Sequence, residues 1–180
     1  MLRLLFSPFP ILTTGRLVLR QLTIDDANDI FKLRSDEKVN EFIDRPKTAD
    51  LSSAIKFIEK IDKGINENQS IYWVISLKGN DILIGTICLW NFLPEKDMAE
   101  TGYELLPEYQ GKGFMREALA KIIDFGLHKI NLKIITAFTH LGNERSIRLL
   151  EKSSFKFDND HRFASKEDAG DQSVYYLQNT

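Results

Sequence analysis

The sequence holds one cysteine, Cys88, so no disulfide can form within the chain, and a lone thiol suits a reducing compartment. Its three histidines, His128, His140 and His161, are scattered and give no metal-ligand spacing. Charge of neither sign dominates: 24 basic residues face 26 acidic ones, which leaves no cationic footprint for nucleic acid. No apolar run approaches the ~20 residues that a membrane span needs. The apolar opening, residues 1–17, is interrupted by Pro8 and Pro10 and lacks a small-residue cleavage site, so it makes a poor secretory signal. It is expected to pack on the body of the protein or on a partner, in the cytoplasm. Repeats, linkers and low-complexity stretches are also missing, and the 180 residues are expected to form one domain, residues 1–180.

What is present reads as alternating sheet and helix signals. Residues 16–22 alternate apolar and polar side chains and predict a first strand. Thr23 can cap a following helix, with Asp25 and Asp26 in its first turn and Ala27, Ile30, Phe31 and Leu33 facing inward. The stretch "NEFIDRP" reads as a loop. A second helix opens at Thr48 or Asp50 and runs through Ile65. Two strands follow, joined by Lys78-Gly79-Asn80-Asp81, where Gly79 and Asn80 tolerate positive φ. A fourth strand spans 98–107, a helix 113–130, and a fifth strand 133–140. Asn143 can cap a short helix, and "FKFDNDHRF" and "QSVYYLQ" close the chain as strands around an acidic, flexible loop at 166–171. This order predicts an α/β protein with a mixed sheet and helices on both faces.

The segment "LPEYQGKGFMREAL" raises a question, because two glycines sit where a strand gives way to a helix. A helix N-terminus presents unpaired N–H groups and about half a positive charge, and a glycine there lets an anion approach the backbone. Lys112 and Arg116 can add charge. A tight turn that needs Gly111 and Gly113 only for its geometry fits the spacing equally well. Two other phosphate motifs fail. A P-loop needs four residues between its glycines and then Lys-Ser/Thr, and the dinucleotide fingerprint needs a third glycine where Arg116 stands.

The stretch "GYELLPEYQGKGFMREAL" resembles the acetyl-CoA motif of the GNAT acetyltransferase superfamily, Gln/Arg-x-x-Gly-x-Gly/Ala. Gln110, Gly113 and Met115 occupy its positions, with Met115 departing from Gly/Ala. Three further segments resemble the RimJ/RimL-type branch in the same order: "TGRLVLRQLTIDDANDIFKL", "AETGYELLPEYQGKG" and "NERSIRLLEKSSFKF". The resemblance covers about residues 13–157. It implies the GNAT fold, in which strands four and five splay into a V that receives the cofactor's pantetheine. It implies acetyl-CoA as cofactor. The pyrophosphate then lies on the amides of Gln110, Gly111, Lys112, Gly113, Phe114, Met115 and Arg116, and the pantetheine pairs with strand four from Glu104 through Leu105 and Leu106.

The implied reaction is attack of an amine on a thioester. The resemblance assigns the oxyanion donor to the N–H of Leu105, the protonation of the departing thiolate to Ser146, and a hold on the pantetheine arm to Asn143. Both side chains also suit ordinary roles at the start of a helix. Glu104 and Glu100, four apart on one face of strand four, are the candidate bases, with Glu104 preferred as the nearer to the cradle; Asp158 and Asp160 are further candidates. Tyr103, Cys88, His140, Trp73 and Trp90 read more simply as packing residues. The acceptor is expected to be a primary amine, most simply a protein or peptide N-terminus. A small-molecule amine, or a non-catalytic acyl-CoA-binding module, remains an alternative. Neither nucleic acid nor membrane is an expected partner, and monomer and homodimer stay open.

Overall fold

The computed structural model describes residues 1–46, 48–164 and 169–179. Residues 166–168 of the acidic loop expected at 166–171 lie outside the described residues. The elements, in chain order, are β1 (Leu12–Thr13), β2 (Leu17–Gln21), α1 (Ala27–Ser35), α2 (Glu37–Asn40), α3 (Leu51–Asn66), β3 (Ile71–Leu77), β4 (Asn80–Leu93), β5 (Met98–Leu105), α4 (Phe114–Phe125), β6 (Ile134–His140), α5 (Glu144–Lys152), β7 (Lys156–Phe157) and β8 (Gln172–Gln178). They form one mixed sheet in the order β1-β2-β3-β4-β5-β6-β8-β7. The expected strands four and five are β5 and β6.

Adjacent residues of a strand point to opposite faces, and β3 uses this to separate the helices. Tyr72 meets Phe57 of α3 edge-on at 5.7 Å, while Trp73 meets Phe125 of α4 at 5.4 Å. Thus α1 and α3 cover one face and α4 the other. Register carries the division across the sheet. Tyr72 aligns with Cys88 and Cys88 with Gly102, so Glu100 and Glu104 share the α3 face; Trp73 aligns with Ile87 and Ile87 with Tyr103, so Tyr103 shares the α4 face. The fully buried Leu17, Leu19, Ile30, Leu33, Ile75 and Ile87 fill the two layers.

Helix starts follow local chemistry. The Thr23 N–H donates to Asp26 Oδ2 at 2.9 Å, and Arg20 grips the same carboxylate through both terminal nitrogens. Asp50, rather than Thr48, caps α3, accepting the Ser53 N–H at 2.7 Å. The apolar opening packs on the body: Phe6 is buried against Phe92, and the Pro10 carbonyl accepts the Trp73 indole N–H at 2.8 Å. It also supplies β1, a strand the sequence pattern did not reveal. Two further details differ from expectation. The β3–β4 turn needs positive φ only at Gly79, because Asn80 already belongs to β4; and the stretch 155–163 contributes a strand of only two residues, β7.

The feature that positions the site is a divergence. β5 and β6 run parallel and align at Met98 with Ile134, Ala99 with Ile135 and Glu100 with Thr136, and the ladder goes no further. Beyond Glu100 and Thr136 the two strands open into the expected V. On the other side β5 stays zipped to β4 as far as Leu105, opposite Gly85. A Cβ on Gly85 would strike the Glu104 carbonyl and the Leu105 side chain. Gly85→Ala is therefore expected to lose about 1–3 kcal/mol of stability through overpacking, measured by urea denaturation; an unchanged midpoint would show that β4 and β5 have slack there.

Candidate active site

The V is lined by backbone that the sheet does not use. The Leu106 N–H donates across to the Ile84 carbonyl at 2.9 Å, so by alternation the backbone of Glu104 and Gly102 also faces β4. That of Leu105, Tyr103 and Thr101 faces the gap. The Leu105 carbonyl is taken by the Gln110 side chain, Nε2 to O at 2.9 Å, which leaves the Leu105 N–H directed into the V. This corrects the expectation that Glu104 and Leu106 offer main-chain groups there. Leu106 is buried, and its carbonyl accepts the Tyr109 N–H as well.

At the mouth of the V lies the glycine turn. Gly111 and Gly113 have φ of +74° and +79°, a region costly to residues with a Cβ. A Cβ on Gly111 would meet nothing within 4 Å, so the space above that backbone is open. The first α-helical bond of α4 joins the Glu117 N–H to the Gly113 carbonyl, and the amides of Phe114, Met115 and Arg116 precede it without intrahelical partners. Met115 turns its side chain into the core, so only its amide belongs to this cluster. Gln110 corrects a second expectation. Its N–H is bonded to the Pro107 carbonyl, and its contribution is a brace: Nε2 on Leu105, Oε1 accepting from Arg145 of α5 at 2.8 Å. Lys112 and Arg116 are exposed.

Two hydroxyls close the gap on the α4 face. Tyr103 of β5 and Ser146 of α5 lie 2.8 Å apart, oxygen to oxygen. Burial pushes the Tyr103 phenol up to about 12, against the hydrogen bond from Ser146, so it stays protonated at neutral pH. Asn143 caps α5, its Oδ1 accepting the Ser146 N–H at 3.1 Å, and so fixes the turn that presents Ser146.

On the opposite face the two carboxylates differ. Glu104 is held by Arg45, with each of its oxygens 2.7 Å from a guanidinium nitrogen, and Arg34 lies 3.8 Å from one of them. Both oxygens are thus engaged by a guanidinium, whereas among the described residues no cation is paired with Glu100, which weighs against the preference for Glu104. Burial pushes Glu100 up to about 7, with a polar contact from Asn91 acting the other way. A carboxyl so poised can take a proton near neutral pH. Desolvation pushes the Cys88 thiol up to about 12, which does not suit a nucleophile. His140 packs its ring on Phe42 at 5.5 Å and accepts the Gly142 N–H. Asp158 is buried below β8 and receives the Phe163 N–H, engaged as a loop anchor.

A family model described as an acetyltransferase (GNAT) domain matches residues 16–156. The chain belongs to the GNAT acetyltransferase family. YoaA of Bacillus subtilis (strain 168), an N-acetyltransferase by its description, is 35% identical over 148 residues, 82% of this chain and 84% of YoaA. Among solved structures, RimL, the ribosomal L7/L12 α-N-protein acetyltransferase in complex with coenzyme A, superposes with a TM-score of 0.81 at 15% identity, covering 94% of this chain and 98% of RimL. The ribosomal-protein-S5-alanine acetyltransferase from Vibrio fischeri superposes with a TM-score of 0.79 at 22% identity, covering 94% and 97%. GNAT acetyltransferases use acetyl-CoA, and the residues present fit it: open space above Gly111, unpartnered amides at the head of α4, and free main-chain donors along β5.

Sequence reading did not single out three side chains that the structure brings to β5 and the glycine turn. Arg34 and Arg45 reach Glu104 across 70 and 59 residues, and no local pattern signals such a pair. Glu117, which ties the start of α4 to Thr14 and Arg16, had a signal in the "TGRL" that opens the first resembling segment, whose purpose spacing did not explain.

Glu100 gives a stability prediction. Its carboxyl is raised in the folded state, so folding favours the protonated form. That contribution is complete below the unfolded value near 4.5 and is lost as pH rises through about 7. Glu100→Gln is thus expected to match the parent at pH 4 and exceed its stability by roughly 1–3 kcal/mol at pH 8. Denaturation at the two pH values checks this, and parallel curves would remove the burial argument.

Proposed function

We propose that this GNAT N-acetyltransferase acetylates the α-amine of a protein or peptide N-terminus, in the manner of the RimJ/RimL-type branch. The observation that carries the reading is the opening of β5 from β6 with Glu100 at its apex, facing the α3 side, and the Tyr103–Ser146 pair on the other. Acetyl-CoA, when bound, supplies the activated acetyl thioester. The amides of Gly111, Lys112, Gly113, Phe114, Met115 and Arg116 hold its diphosphate, with Lys112 and Arg116 adding side-chain charge. The Nδ2 of Asn143 and the N–H of Tyr103 hold the arm within the V. The Leu105 N–H donates to the oxygen on which charge develops. Glu100 accepts the ammonium proton, directly or through a water, and the Ser146 hydroxyl, backed by Tyr103, returns a proton to the leaving sulfur.

The base selects between amines. An α-ammonium group near 7.8 gives up its proton readily to a carboxyl near 7, whereas a lysine near 10.4 does so at an unfavourable ratio of about 10³. This match supports a terminal α-amine over a lysine side chain. The lone cysteine fits a reducing compartment, and we assign the protein to the cytoplasm on that ground.

Release of free thiol from acetyl-CoA with a panel of short peptides tests the reading. Peptides with a free N-terminus are expected to react and N-blocked, lysine-containing ones to lag; binding of coenzyme A without turnover on any amine would leave a binding module instead. Glu100→Gln is expected to lower kcat/KM about 10²-fold or more and to remove the rise in rate centred near pH 7. If the pH profile keeps that limb, the proton goes elsewhere.

Gly113→Asp is expected to weaken coenzyme A binding roughly 100-fold by setting a carboxylate against the phosphates. Gly113→Asn, which tolerates the same φ without charge, should lose far less. Titration calorimetry separates the two, and equal affinities would place the diphosphate away from α4.

A further inference from the structure

The chemistry proposed above uses Glu100 and leaves without a role a second polar cluster on the same face. There, two guanidinium groups share one carboxylate. Arg45 takes both oxygens of Glu104 at 2.7 Å, and Arg34, at 3.8 Å, lies beyond hydrogen-bond reach. The three side chains are 15%, 12% and 13% exposed for Arg34, Arg45 and Glu104, so water screens them weakly. Their summed charge is +1.

Arg34 is the member left over. Its guanidinium lies on the Phe57 ring at 3.8 Å, and its buried Nε has no hydrogen-bond partner. Beside it the Tyr72 hydroxyl, on a residue 6% exposed, makes no hydrogen bond of good geometry, with the Thr86 hydroxyl its nearest polar neighbour on that face. Desolvation, and then repulsion from Arg45, lower the Arg34 guanidinium below its ordinary value. A buried donor edge and hydroxyl are costly to leave unmatched. Both belong to one cluster, whose unmatched groups can donate.

We propose that Arg34, Arg45 and Tyr72 form a carboxylate-recognition subsite that selects acceptors bearing a carboxylate close to the reacting amine. The inference rests on the N-acetyltransferase reading above. A single carboxylate balances the residual +1, and its two oxygens suit the edge of a guanidinium better than a doubly charged phosphate does. Glu104 immediately precedes Leu105, whose N–H faces the V, so the subsite adjoins the reaction centre. It is the first two residues of an extended acceptor, about 7 Å of chain, that lie within range. Glu104 is then a positioning residue that orients Arg45 and keeps the pair from repelling each other apart. Both arginines come from the segment between β2 and β3, the part of the chain that carries no cofactor motif.

The test compares two matched pairs of acceptors: amidated peptides that begin Ser-Asp or Ser-Asn, and serine against serinamide. The peptide pair reads an acidic side chain, and the amino-acid pair reads a free α-carboxylate. One acidic member is expected to exceed its neutral partner in kcat/KM by roughly tenfold or more, mainly through KM. Arg34→Gln is expected to bring that ratio close to one. Equal kcat/KM within both pairs of the wild-type protein, as a water-filled notch would give, overturns the proposal whether or not the variant folds. So does a preference for the neutral members. Loss of thiol release with every amine overturns instead the N-acetyltransferase reading, and coenzyme A binding in the same samples distinguishes that result from a misfolded preparation.

Discussion

Beyond Glu100 and Thr136, β5 and β6 no longer bond to each other, and the main-chain groups that face the gap must find other partners. Most of the architecture around the V follows from that need. Gln110 reaches back to the Leu105 carbonyl and is itself held by Arg145, so one side chain ties the end of β5 to α5. Tyr103 and Ser146 do the same on one face through their hydroxyls. These bridges tie β5 to α5 and leave the Leu105 and Tyr103 amides unfilled. A continuous ladder would have consumed those donors; a gap without bridges would have collapsed or filled with disordered water.

Strand alternation then divides the labour. Because β5 stays zipped to β4, its odd residues send their backbone into the V and their side chains to the α4 face. Its even residues send side chains to the α3 face, where Glu100 and Glu104 stand. Glu100 and the Tyr103 hydroxyl that bonds Ser146 of α5 thus lie on opposite faces of β5. A one-residue slip would exchange the two sets; β4 and β5 pair without a break from Gly85 opposite Leu105 to Trp90 opposite Glu100, and Gly85 admits the Glu104 carbonyl at close range.

Much of this was legible in the sequence because it is local. The alternation of β2, the cap of α3 by Asp50 and the glycines before α4 each depend on neighbouring residues. The V itself was not written in any local pattern. It entered through resemblance, and the structure supports it with three register pairs where a strand of eight residues had room for more. The choice between the two carboxylates met the same limit. Nearness to the glycine turn favoured Glu104, yet what distinguishes the two carboxylates is their partners. Arg45, from a loop 59 residues earlier, occupies Glu104, while burial without a cation leaves Glu100 raised. Tyr103 read as plain packing because its hydroxyl partner lies 43 residues on. Spacing reports faces and caps; it does not report which distant charge arrives.

The anion site shows how far such reach extends. Glu117 stands one turn into α4, where a carboxylate stabilises the helix dipole yet opposes a phosphate at the same end. Its charge is answered from the start of the chain. Thr14 and the Arg16 amide donate to one oxygen, and the Arg16 guanidinium meets the other at 2.7 Å. Burial works to raise this carboxyl, but those bonds win and hold it below its ordinary value, so it stays ionised and paired. Arg16 also bonds the Lys112 carbonyl and lies over Phe114, which braces the turn from outside. With Glu117 neutralised by its partner, Lys112 and Arg116 remain as uncompensated positive charges beside the free amides. The turn at residues 14–16, between β1 and β2, therefore braces the head of α4, although it lies about a hundred residues from the glycines.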